Sequence, residues 1–207
     1  MFQLDGDLLR QATEPLASPT RRLQGLPYAL ALRTNDPLLA IQIWTEVLPF
    51  LVALTALVLA HQAAHLPLAW AFLAAALTMT ASSDWLTASP VAIGYHMAIL
   101  LHACGAIGLT LWSRHGARWA LAFGLITGTA SLWTIDAATT IYPLTPLLAF
   151  LAATDADGRR RARTAGLWWL VLSVPYYALF VSFILDDTGY AGVALLEDVG
   201  QARAEHP

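Results

Sequence analysis

The chain has 207 residues, of which 57% are hydrophobic and 12% charged, with a formal net charge of −3. A soluble domain carries about twice that charged fraction, so the composition argues against a water-soluble globule, and no nucleic acid is expected as a partner. All of its 11 basic side chains are arginine and Cys104 is its 1 cysteine, which excludes a retinal Schiff base, an intrachain disulfide and a zinc site built on cysteine pairs.

A chain of this kind is expected to bury its apolar surface against lipid. Backbone polar groups in lipid need internal partners, so its spans are helices or a closed barrel. Long Leu/Ala/Val runs, without alternating ten-residue strands, select helices. The expected fold is an all-α polytopic membrane protein with six transmembrane helices over residues 37–185, between a polar N-terminal tail (1–36) and an acidic C-terminal tail (186–207).

The N-terminal segment mixes acids with Arg10, Arg21, Arg22 and Arg33 and has no signal-peptide pattern. Within it, LQGLPYALAL (23–32) is too short to span and is read as ordered tail or as a helix lying on the bilayer surface. The first span runs from Pro37 to about Ala60. Gln42, Thr45, Glu46 and Pro49 fall on one narrow stripe of that helix, and Ala53 continues it. The turn HQAAHLP leads into a second span, Leu66 to about Asp84, whose last turns become polar. Ser89-Pro90 then reads as an N-cap with proline in the first turn. It opens the third span, which reaches Trp112 and around which the other helices are expected to pack.

After the turn SRHGAR, the fourth span runs from Arg118 to about Ile135. Its Gly124-x-x-x-Gly128 spacing lets a second helix approach closely and is the expected contact for a homo-oligomer or a partner in a membrane complex. Residues 136–154 hold Pro143 and Pro146 and are read as a fifth segment, either a kinked span or a re-entrant one. DADGRRRART follows as a basic loop, and the sixth span covers about Ala165 to Leu185 with Pro175 at its centre. The loops after the first, third and fifth spans hold His61 and His65, then Arg114, His115 and Arg118, then Arg159, Arg160, Arg161 and Arg163, whereas those after the second and fourth hold no arginine. The positive-inside rule therefore places the former loops in the cytoplasm of a multi-pass cell-membrane protein and puts both termini outside.

Four side chains stand out as candidates for a site: Glu46, Asp84, His96 and Asp136. Glu46 lies in the middle third of the first span, where an ionised acid costs about 2.5–3.5 kcal/mol on insertion scales. It is expected to be protonated, paired or wet. Asp84, His96 and Asp136 enter from the same side of the membrane, and together the four would hold a divalent metal ion or relay a proton. Gln42 and His102 are secondary candidates. His96 and His102 are separated by about 600° of helix rotation, so they face different sides. His61-x-x-x-His65 has metal-pair spacing but lies in a turn. The motifs of P-loop, dinucleotide-binding, serine-elbow and HExxH enzymes are all missing, which argues against an enzyme.

Three functions fit these residues. One is a small membrane module with an outward-facing polar pocket for a proton, metal ion or small polar ligand. The second is a structural or assembly subunit of a membrane complex. The third is a membrane-embedded metal-dependent hydrolase.

Overall fold

The structure, a computed structural model, describes residues 23–62, 64–82, 92–134 and 138–186, and these form helices joined by short turns, without a strand. Helix α1 covers Leu26–Ala31, α2 Pro37–Gln62, α3 Leu68–Ser82, α4 Ala92–His115 and α5 Arg118–Leu132. The chain then breaks into α6 (Ala138–Ile141), a 3-10 turn (Tyr142–Leu144) and α7 (Thr145–Leu151) before the long α8 (Ala156–Asp186).

Among the described residues, three helices are long and apolar enough to cross a membrane: α2, α4 from Ile93 to His115, and α8 as far as Ser182. They correspond to the expected first, third and sixth spans. Helices α3 and α5 have 15 residues each, about 22 Å of helix, and α7 has 7. Prolines explain the broken fifth segment. Pro143 and Pro146 occupy the first turns of the 3-10 helix and of α7, where a missing N–H costs nothing but a continuous helix cannot form.

The basic stretch 155–164 also differs from expectation, because it is helical rather than a loop. Asp155 caps α8, its Oδ1 accepting from the Gly158 N–H at 2.5 Å, and Asp157 stands in the first turn, where a negative charge favours a helix start. The arginines are thereby sorted onto separate faces of α8.

Helix α4 is the centre of the bundle. Of its apolar window 56% is buried, against 28% for α2 and for α8. It packs against α2, α5, α7 and α8. What lets the helices close on one another is small residues. Ala71 and Ala75 face inward from α3, Ala98, Ala103 and Ala106 from α4, and Ala162 and Ala165 from α8. Large apolar side chains lie outside: Trp70, Phe72, Ile126, Leu151, Leu167 and Val174 are all more than half exposed. Such a surface suits lipid rather than water.

The tightest seam joins α4 to α5. A Cβ on Gly108 would lie 2.6 Å from the Gly124 Cα and 2.7 Å from the Ala120 carbonyl oxygen. One on Gly105 would lie 2.9 Å from the Gly128 Cα. Gly124 and Gly128 thus meet glycines of the same chain, and the ring of Trp169 fills the space beside Gly128. The close approach expected from their spacing occurs within the bundle and leaves them buried.

Residues 23–32 are ordered. Pro27 opens α1, the Leu23 N–H donates to the Trp133 carbonyl at 2.8 Å, and Tyr28 and Ala31 are buried with Ile41, Leu48 and Ile93.

Candidate functional site

At one end of the bundle the α2–α3 turn, the α4 terminus and the start of α8 converge. Arg114 donates from Nη2 to His65 Nε2 at 2.6 Å and from Nε to the Ala152 carbonyl at 3.0 Å. Arg161 donates to the Ser113 and Arg114 carbonyls. The turns expected on one side from their arginines therefore do meet. His61 Nδ1 donates to the Leu66 carbonyl at 3.0 Å, so His61 and His65 serve separate partners instead of a common ligand.

The polar centre lies inside the bundle, around His102. Three elements build it: α4 supplies His102, α5 supplies Ser131, and α7 supplies Thr145. Thr145 Oγ1 lies 2.7 Å from His102 Nε2, and Ser131 Oγ lies 3.4 Å from Nδ1. The Ser131 hydroxyl already donates to the Gly128 carbonyl at 2.6 Å. The Thr145 hydroxyl likewise reaches the Ile141 carbonyl at 3.4 Å, so each ring nitrogen of His102 faces a hydroxyl that is itself anchored to a nearby backbone carbonyl.

Aromatic rings close the site. Tyr142 stacks on Trp169 with centroids 4.4 Å apart, and His102 meets the edge of Trp169 at 6.0 Å. Trp169 Nε1 donates to the Tyr142 carbonyl at 2.9 Å, and the Tyr142 hydroxyl donates to the Trp169 carbonyl at 3.2 Å. Both imidazole nitrogens are satisfied, so a metal could bind only by displacing one of these partners. The cluster joins α4, α5, the 3-10 turn, α7 and α8 around His102.

The residues picked out from sequence are distributed otherwise. Glu46 and Gln42 are exposed on the outer side of α2, among the exposed Ile43, Val47 and Phe50. Thr45, beside them, is half-buried and donates to the Gln42 carbonyl at 2.7 Å. The Glu46 carboxyl makes no hydrogen bond or ion pair among the described residues. His96 is buried, with 7% exposure, and is not without an interaction partner. Asp84 and Asp136 lie outside the described residues. Among the described residues, no three His, Cys, Asp or Glu side chains come together as a metal site.

The partners of His102 escape sequence reasoning because Ser131 and Thr145 are 29 and 43 positions away. The signal present in the sequence was a histidine in an apolar helix, which needs a partner wherever it points. Comparison with protein-family models, curated proteins and solved structures finds no match to this chain.

Proposed function

We propose that the protein is an integral membrane subunit whose task is assembly, with the Gln42/Glu46 face of α2 as the surface that meets another membrane chain. The observation that carries this reading is the outward position of Glu46 on an apolar surface. In lipid an ionised carboxyl there costs a few kcal/mol, and a polar partner from a neighbouring helix recovers about 0.6–2 kcal/mol per hydrogen bond. Gln42 lies one turn away and offers both a donor and an acceptor, so the face can pair with a copy of itself.

The outward side chain of Glu46 and the burial of His96 favour this reading over a pocket shared by Glu46, Asp84, His96 and Asp136 and over the divalent metal such a pocket would take. The hydrogen-bonded His102 cluster suits a bundle held rigid for assembly.

In the arrangement proposed, all six apolar segments cross a cell membrane. The arginine-bearing turns are cytoplasmic and both termini lie outside. The convergence of His65, Arg114, Ala152 and Arg161 at one end supports this alternation.

The experiment is crosslinking in native membranes. Glu46→Cys in a Cys104→Ala background should form a disulfide with a second copy, or trap a different chain. Glu46→Leu should convert the assembly to monomer in detergent while the monomer's melting temperature stays unchanged, because no contact within the chain is lost. Wild type that is monomeric in membranes would refute the reading.

A further inference from the structure

We propose that the α7–α8 edge of the bundle holds an anionic phospholipid, its phosphate among Arg159, Arg160 and Arg163 and an acyl chain in the groove between α7 and α8. Two hollows adjoin there and share Arg163. The first, about 320 Å³, lies at the start of α8 and is walled by Arg159, Arg160, Arg163, Thr154 and Asp155. The second, about 510 Å³, runs on from Arg163 between the helices and is apolar, with Pro146, Leu147, Phe150, Gly166 and Leu170 among its walls.

The charge is uncommitted. Arg161, on the opposite face of the same turns, is used on the Ser113 and Arg114 carbonyls. Arg159, Arg160 and Arg163 have side chains without a hydrogen bond or ion pair among the described residues. Phe150 holds two of them in place, its ring centroid 5.9 Å from the Arg159 guanidinium carbon and 5.4 Å from that of Arg163. Asp155 is the carboxylate in the first hollow, and one of its oxygens is taken by the Gly158 N–H. Three cations against one acid leave the mouth positive, in a chain whose net charge is −3. Planar guanidinium groups match phosphate oxygens.

The groove commits the ligand to a lipid. Gly166 and Pro146 meet at its floor, where α7 and α8 approach so closely that a Cβ on Gly166 would lie 3.0 Å from the Pro146 Cβ. Its outer rim is formed by Leu167 and Leu170, exposed by 66% and 44%, on the surface that faces acyl chains. A free anion in water has no use for this apolar extension, whereas a phospholipid fills both hollows at once. The inference rests on the membrane setting and is separate from the α2 face: Glu46→Leu should alter oligomeric state without altering lipid retention.

The test is native mass spectrometry of the full chain in detergent, with phosphatidylglycerol, phosphatidylcholine of the same chains, or inorganic phosphate added. Phosphatidylglycerol should be retained in preference to the other two. Each Arg→Gln change at positions 159, 160 and 163 should weaken retention about fivefold. Leu147→Trp should weaken it by filling the groove with the charges intact. Should Arg159→Gln or Arg163→Gln fail to fold, Arg160→Gln alone keeps the test, because its exposed side chain makes no hydrogen bond or ion pair among the described residues. Equal retention of phosphatidylcholine overturns the charge recognition. Equal binding of inorganic phosphate, or unchanged retention in both Arg160→Gln and Leu147→Trp, overturns the site.

Discussion

Arg161 closes the end of α4 with one guanidinium group. Its Nε and Nη2 donate to the Ser113 carbonyl at 3.0 and 2.9 Å, and Nη2 also donates to the Arg114 carbonyl at 3.3 Å. The chain leaves α4 through Gly116 in the left-handed region, φ +67°, which ends the helix and leaves its last carbonyls without amide partners. A cation from α8 supplies them and ties the two long helices together.

Arg161→Gln is therefore expected to cost about 1.5–3 kcal/mol, the range for hydrogen bonds to charged groups. Arg161→Lys should not restore the loss, because an ammonium cannot present the same planar fork. Thermal unfolding in detergent reads both. A melting temperature unchanged in Arg161→Gln would show that the cap contributes nothing.

Gly108→Ala should be far more damaging than its size suggests. The new methyl would meet backbone of α5, 2.6 Å from the Gly124 Cα, and backbone cannot rotate aside as a side chain does. The helices must separate, at a cost of about 1–3 kcal/mol or more. Ile126→Ala, on a residue 69% exposed, removes more atoms and should change little. Folded yield and melting temperature of the two variants, compared side by side, decide the point.

The glycine seam marks how far the sequence could be read. Gly124 and Gly128 announced a close approach by their spacing alone, whereas their partners Gly105 and Gly108 are three apart and do not. The helical class and three long apolar helices were legible because both depend on length and composition. The inward face of each helix was not. In water, apolar periodicity marks the buried side. Here Leu, Phe and Trp crowd the outside and alanine the inside, so the polar stripe from Gln42 to Ala53 pointed to no particular neighbour. Its Ala53 end is buried and its Gln42/Glu46 end is exposed. The helical character of 155–164 was hidden by its charge, because a single cap at Asp155 outweighs the loop-like look of a run of arginines.

Thr→Val exchanges of nearly constant volume should give opposite signs at two buried threonines. Thr145 Oγ1 is 2.7 Å from His102 Nε2. Replacing it removes the partner of a buried imidazole nitrogen, for an expected loss of about 1–3 kcal/mol. Thr110 is just as buried, at 2% exposure, yet its hydroxyl has no hydrogen-bond partner. Val there removes an unsatisfied polar atom and keeps the shape, so stability should be unchanged or should rise by up to about 1 kcal/mol. A His102→Phe/Thr145→Val pair should then cost less than the sum of its single changes, since the nitrogen left without its partner is gone. Melting temperatures of the four proteins in one detergent read the comparison. Equal losses at Thr110 and Thr145 would mean that the His102 contact contributes no stability of its own.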